Sequence, residues 1–87
     1  MKVKGFYVLE HKPTGQVYTG VSTDAEKEVK DLLASLTTAT CTNKRLVGLY
    51  KRDPDFKYRV TPFAAIPDAR AFEKKFRAHI PDHLLIN

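Results

Sequence analysis

Cysteine is almost absent from this sequence of 87 residues, which contains Cys41 and no other. A single thiol cannot form an internal disulfide, and it also excludes a zinc site built from four cysteines. Long apolar runs are lacking too. No stretch approaches the roughly 18 residues of a membrane span, and the first residues have no apolar segment typical of a secretion signal. These absences predict a soluble cytoplasmic protein without a membrane partner.

Acidic residues are fewer than basic ones. Fifteen Lys and Arg stand against ten Asp and Glu, which gives a net charge of +5 and a pI near 9.5. Such a balance favours polyanionic partners such as DNA. The cations concentrate between residues 44 and 59, where we predict a DNA-binding helix face formed by Lys44, Arg45, Lys51 and Arg52. Charge alone also fits a basic scaffold that binds no nucleic acid.

The first half of the chain predicts a hairpin and a helix. Two strand-like runs, 5–12 and 16–21, flank the turn residues Pro13-Thr14-Gly15. Ser22, Thr23 or Asp24 can cap the helix that follows. Its apolar stripe has helical spacing and consists of Ala25, Val29, Leu32, Leu33 and Leu36.

The second half predicts two more helices around one strand. A loop is expected over 37–42, then a helix over 43–52 with Leu46, Val47 and Tyr50 inward. Residues 56–61 alternate apolar with polar, as a half-buried strand does. The last helix is expected to start near Pro67, with Asp68 as its cap, and to end before Pro81. The order is ββααβα in a single α+β domain, 1–87, with a tail over 81–87 that is expected to fray.

Glu73 lies on the flank of the apolar stripe of the last helix, close in angle to Ala69 and Ile80. A carboxylate in this position needs a cation, a metal ion or several hydrogen bonds, because uncompensated burial of a charge is costly. An ion pair with Arg70 or Arg77 on the same helix is one explanation. A metal site is the other.

Two triplets in the hairpin carry a family resemblance. Gly5-Phe6-Tyr7 and Tyr18-Thr19-Gly20, separated by ten residues, resemble the two halves of the GIY-YIG signature. Together with the elements that follow, the resemblance to GIY-YIG nuclease domains extends from residue 5 to about 80. It implies a small three-stranded antiparallel sheet flanked by three helices.

The resemblance also implies an activity, hydrolysis of DNA phosphodiester bonds with one divalent ion, for which Mg²⁺ is expected. Tyr7 and Tyr18 would be active-site tyrosines that place or deprotonate the attacking water, and Glu73 would be the catalytic metal ligand. Without the resemblance, the β propensity of tyrosine favours ordinary aromatic residues of a sheet as the interpretation of both.

Glu28 is the main departure from the family pattern, because it occupies the position of the catalytic arginine. An arginine offers a fixed fork of donors to a phosphate, whereas a glutamate repels it. Two alternatives remain open. Lys27, Lys30 or Arg45 could supply the missing cation, or Glu28 could join Glu73 in a second metal position.

Two weaker correspondences concern single residues. The histidine found after the first helix in homing relatives has no match, since Thr42 aligns with it. The late asparagine of the family corresponds to Asn87, at the end of the sequence.

Three functions are therefore distinguished. The first is a metal-dependent DNA endonuclease, slowed by Glu28. The second is an inactive GIY-YIG-like module that binds DNA, another protein or a second copy of itself. The third is a basic scaffold. Nicking of plasmid DNA separates the first from the others, and binding of DNA separates the second from the third.

Overall fold

The hairpin predicted at the start of the chain is present in the computed structural model, which describes residues 2–38 and 40–87. Strand β1 (Gly5–His11) pairs antiparallel with β2 (Gln16–Ser22). The turn closes through the N–H of Gly15, which donates to the carbonyl of His11 at 2.8 Å. Gly15 has a φ of +73°, a conformation that glycine adopts without strain.

Two capped helices follow the hairpin. Helix α1 (Ala25–Thr37) begins after Asp24, whose side chain accepts a hydrogen bond from the N–H of Lys27. Helix α2 (Lys44–Arg52) begins after Asn43, which accepts from the N–H of Leu46 at 3.0 Å. The predicted loop starts only after Thr37, which still belongs to α1. Met1 and Ala39, the latter within that loop, lie outside the described residues.

The remaining elements are β3 (Phe56–Pro62), α3 (Ile66–Ala78) and a short 3₁₀ helix, Asp82–Leu84. The prediction of Asp68 as helix cap is wrong, because α3 begins at Ile66 and Ala65 is its N-cap. Pro67 explains the difference: it lacks an N–H and its fixed φ suits the first helical turn. In the described part of the chain, no helix is long and apolar enough to cross a membrane.

The sheet has the strand order β2-β1-β3, and both pairings are antiparallel. The predicted order ββααβα and the three-stranded sheet with three helices are thus confirmed. Helices α1 and α2 cover one face of the sheet. Their core residues pack with two side chains of β1, Tyr7 and Leu9, and the main helical members are Ala25, Val29, Leu36, Leu46 and Leu49. Val47 and Tyr50 pack at the margin of this core.

Helix α3 covers part of the opposite face, where Phe6 is buried. The ring of Phe6 lies 5.2 Å from the rings of both Phe72 and Phe76, measured between centroids. Central strand β1 therefore places alternate aromatic residues, Phe6 and Tyr7, on opposite faces, as the period of a strand requires.

The C-terminal segment does not fray, which corrects the prediction for residues 81–87. The N–H of Ile86 donates to the carbonyl of Val17 at 2.8 Å, and Leu85 forms a parallel bridge to the same residue. Ile86 is only 6% exposed and joins the core. The segment supplies partners to the outer edge of β2, whose backbone groups would otherwise be unpaired on that side.

Both glycines of the paired triplets stand where another chain segment approaches closely. A Cβ on Gly5 would overlap the carbonyl oxygen of Thr61, and one on Gly20 would overlap the ring of Tyr7. Gly20 faces Tyr7 directly across the hairpin. The tyrosine ring therefore lies on the glycine backbone of the neighbouring strand.

Replacement of Gly20 by alanine tests this contact. We expect Gly20→Ala to lower the free energy of unfolding by about 1–3 kcal/mol, because a methyl group there forces the Tyr7 ring to move. Gly48→Ala is the matched control. Gly48 lies in α2 with open space at its Cβ, so alanine should stabilise the protein by about 0.5–1 kcal/mol. Urea unfolding of both variants checks the difference, and equal effects would contradict the close packing.

Candidate active site

Tyr7 and Tyr18 lie on the same face of the hairpin. Tyr7 pairs with Gly20 and Leu9 pairs with Tyr18, so the two tyrosines are diagonal neighbours. The hydroxyl of Tyr7 donates to Oε1 of Glu28 at 3.5 Å, a long hydrogen bond from β1 to α1. Glu28, which is predicted to occupy the position of the family's arginine, thus contacts one of the tyrosines.

The environment of both tyrosines favours their neutral form. Burial raises the pKa of Tyr7 most, and the charge of Glu28, the neighbouring Tyr18, the hydrogen bond to Glu28 and the charge of Glu73 raise this pKa further. The pKa of Tyr18 is raised by burial, by Cys41 and by Glu28, in that order. Both phenols are therefore protonated at neutral pH.

Glu73 is half-buried on α3 and is near enough to Tyr7 for its charge to act on the tyrosine hydroxyl. Among the described residues, its carboxylate forms no hydrogen bond and no ion pair. The expected alternative, an ion pair with Arg70 or Arg77, is absent from this part of the chain. The carboxylate is therefore available to a partner that the chain itself does not supply.

Arg77 instead joins α3 to the edge of β2. Its guanidinium donates to the hydroxyl of Thr19 and to Oδ1 of Asn87, each at 3.0 Å. The Asn87 amide also pairs with the backbone of Thr19: its Oδ1 accepts from the N–H at 3.2 Å and its Nδ2 donates to the carbonyl at 2.6 Å. Asn87 thus holds the residue between Tyr18 and Gly20, rather than presenting a free amide to a ligand.

The three cations considered as substitutes for the arginine have other partners. Lys27 pairs with Asp31 and Lys30 with Glu26, both at 3.1 Å along α1. Arg45 donates to the carbonyls of His83 and Leu85 at 2.9 Å, and so holds the C-terminal segment. Within the described ranges, none of the three forms a hydrogen bond with Tyr7, Tyr18 or Glu73.

Cys41 is the neighbour that the sequence did not indicate. It is half-buried against the core, and its thiol raises the pKa of Tyr18. Thr42, aligned with the family's histidine, is exposed. The side chain beside Tyr18 thus comes one residue earlier than the resemblance indicates, and a single cysteine carried no pattern that could have revealed it.

The predicted DNA-binding residues lie on α2. Lys44, Lys51 and Arg52 are exposed, whereas the Arg45 guanidinium is engaged by the C-terminal segment. Helix α2 contributes Leu46 and Leu49 to the core that also contains Tyr7 and the apolar residues of α1.

A divalent ion can be accommodated only with few protein ligands. Residues 2–38 and 40–87 contain no group of three or more His, Cys, Asp or Glu side chains placed to hold a metal ion. Mg²⁺ requires fewer, because it keeps several waters and combines one or two carboxylates with phosphate oxygens. Glu73, half-buried and without a partner among these residues, suits such a site.

The sheet order and the three helices form the architecture that the sequence resemblance implied. Among solved structures, the catalytic domain of the intron endonuclease I-TevI, determined as a glutamate-to-alanine mutant, matches with a TM-score of 0.65. The match covers 86% of this chain and 84% of that domain at 20% sequence identity. No protein-family model and no curated protein matches the sequence. The resemblance found in the sequence is thus confirmed for the fold.

The charge of Glu28 should be visible in the titration of Tyr7. We expect Glu28→Gln to lower the pKa of Tyr7, because the substitution removes a negative charge that disfavours the phenolate. Titration of the tyrosine NMR signals measures this pKa. Glu26→Gln on the same helix is the control and should leave it unchanged. Equal pKa values in the Glu28→Gln variant and the natural protein would contradict the contact.

The exposed cations of α2 should determine the salt dependence of DNA binding. If they contact phosphates, affinity falls with salt with a slope of about −0.9 per phosphate neutralised, and Lys51→Ala with Arg52→Ala flattens the slope by up to about two units. The control is Lys27→Ala with Lys30→Ala, which removes two cations already paired on α1. An unchanged slope in the α2 variant would place the DNA on another surface.

Proposed function

We propose that this domain is a DNA endonuclease that hydrolyses phosphodiester bonds with one divalent metal ion, and that Glu28 makes the hydrolysis slow. The observation that carries the proposal is the half-buried carboxylate of Glu73. Its charge raises the pKa of Tyr7, and it has no partner among the described residues. The fold shared with the catalytic domain of an intron endonuclease supports the same conclusion. We assign the protein to the cytoplasm because its single cysteine suits a reducing compartment.

The two tyrosines have a positioning role in this proposal. A phenol whose pKa is raised is a poor base at neutral pH, so Tyr7 orients the attacking water through its hydroxyl rather than removing a proton from it. Tyr18, whose pKa is also raised, lies beside it and acts in the same way. A change that lowered the pKa of Tyr7 would bring it nearer to the range useful for general-base catalysis.

Glu73 is the residue that would hold the metal ion, together with phosphate oxygens and waters. The ion, when bound, polarises the phosphoryl group and offsets charge on the leaving oxygen. Glu28 contacts Tyr7, so a second carboxylate faces the same small region. In this proposal Glu28 repels the phosphate and is not itself a metal ligand.

A second candidate function follows from the same contact. Loss of one electrostatic stabiliser typically costs about 10²–10³ in rate, and a reversed charge costs more. With Glu28 bonded to Tyr7, the domain could have lost hydrolysis. It could still bind DNA, a protein partner or a second copy of itself. DNA binding without metal-dependent nicking would identify this inactive module.

Glu28→Arg tests the proposal directly. We expect the substitution to raise Mg²⁺-dependent nicking of plasmid DNA more than tenfold, which corresponds to about 1.4 kcal/mol of activation free energy. The arginine would face the phosphate, and it would remove the negative charge that raises the pKa of Tyr7. The measurement is the initial rate of conversion of supercoiled to open-circular plasmid.

Two controls accompany this experiment. Glu26→Arg, on the same helix, changes the net charge equally and separates a local effect from a general gain in DNA affinity. Glu28→Arg combined with Glu73→Ala removes the proposed metal ligand and should be inactive. Efficient nicking by the natural protein that Glu28→Arg fails to increase would show that Glu28 does not limit the rate.

A further inference from the structure

A groove opens on the sheet face that carries α3, away from the two tyrosines. It encloses about 330 Å³, and its floor is apolar, formed by Phe6, Val8 and Val17. Phe72 forms part of the wall. Such a volume lies within the range of about 300–1,000 Å³ that is typical of small-molecule pockets.

The groove exists because α3 packs mainly over β1 and β2. The half of this sheet face formed by these two strands is thereby covered, and the half beside β3 is left more open. One large aromatic side chain at this opening, Phe72, is 39% exposed. An aromatic ring that has one packed side and one exposed side can stack on a planar ligand.

The charge at the rim is positive. Lys57 pairs with Glu10 at 3.2 Å, so these two charges offset each other. Arg59, also at the rim, is exposed and forms no ion pair or hydrogen bond in the part of the chain that the structure describes. The groove therefore combines an apolar floor, an accessible aromatic ring and an unmatched guanidinium.

We propose that this groove binds one unpaired nucleobase of a DNA strand, with the base against Phe72 and an adjacent phosphate on Arg59. Single-stranded nucleic acid is bound in this way elsewhere, by aromatic side chains that stack on bases and by cations that follow the backbone. An acidic peptide would satisfy Arg59 but has no planar group for the ring. The proposal rests on the proposed function only in taking DNA as the partner.

The position of the groove relates it to the tyrosine site. Phe72 and Glu73 are neighbours on α3, and Phe72 packs on Phe6 whereas the charge of Glu73 acts on Tyr7. These neighbouring residues of α3 thus act on the two alternate aromatic residues of β1, one on each face of the sheet. A strand whose unpaired base occupies the groove would run past α3 toward the tyrosine site. The substrate class inferred is duplex DNA with an unpaired nucleotide near the cleavage point.

Two DNA duplexes with the same number of base pairs test this inference. One is fully paired, and the other has a single extra, unpaired thymidine in one strand. Without metal, we expect the natural protein to bind the bulged duplex at least about fivefold more tightly, as judged by fluorescence anisotropy. Phe72→Leu keeps an apolar side chain but removes the ring, and Arg59→Ala removes the cation. Each should abolish the preference while affinity for the paired duplex changes little.

Arg70→Ala is the matched control, since it removes one exposed cation of α3 that does not line the groove. It should keep the preference for the bulge, and thermal unfolding should show that all variants are folded. Equal affinity of the natural protein for both duplexes would overturn the inference, as would a preference that survives both groove variants. Self-association that Phe72→Leu abolishes, without any preference for the bulge, would instead assign the groove to a second copy.

The two proposals fail in different ways. Absence of Mg²⁺-dependent nicking would reject the nuclease and would leave a bulge preference measurable, because binding is assayed without metal. Nicking by the natural protein combined with equal binding of both duplexes would reject only the groove assignment.

Discussion

The contact between the Tyr7 ring and the backbone of Gly20 is the constraint on which the site depends. A side chain at Gly20 would occupy the space of the ring, so the ring could not cross the hairpin. Crossing it allows the Tyr7 hydroxyl to reach Glu28 on α1 and brings the ring beside Tyr18. A second close approach, of Gly5 to Thr61, sets the central strand tightly against β3. The two glycines of the signature therefore have packing roles, and the tyrosines have their positions because of them.

The charges around Tyr7 bear on the proposed binding of a metal ion and DNA. Glu28 and Glu73 are both negative and both raise the pKa of this tyrosine, so a phosphate that approaches alone meets repulsion from each. A divalent ion bound to Glu73 would offset the repulsion between the Glu73 carboxylate and the phosphate. The remaining charge, on Glu28, would repel a phosphate, and it also raises the pKa of Tyr7.

The sequence predicted the fold because most of its information was local. Strand alternation, the helical stripe of α1 and the capping residue Asn43 needed no knowledge of distant contacts, and all three agree with the structure. Side-chain partners could not be predicted in this way. Arg77 had Glu73 one turn away, yet it bonds to Thr19 and Asn87. That choice depends on where the last residues meet β2, a contact between segments far apart in sequence. Placement of Cys41 beside Tyr18 likewise depends on packing.

The two edges of the sheet are protected by different means, and this difference decides which surfaces remain available. On the β2 edge, the segment ending in Ile86 and Asn87 supplies hydrogen-bond partners to the backbone, and Arg45 and Arg77 hold it there. The β3 edge has charged side chains and ends at Pro62, features that oppose pairing with another strand. The cations on the β2 side, Arg45 and Arg77, are therefore engaged by the C-terminal segment, whereas Arg59 of β3 has no partner among the described residues. A polyanion approaching the α3 face can therefore meet Arg59 on β3, beside the half of the sheet that α3 leaves open, as well as exposed cations of α3 such as Arg70.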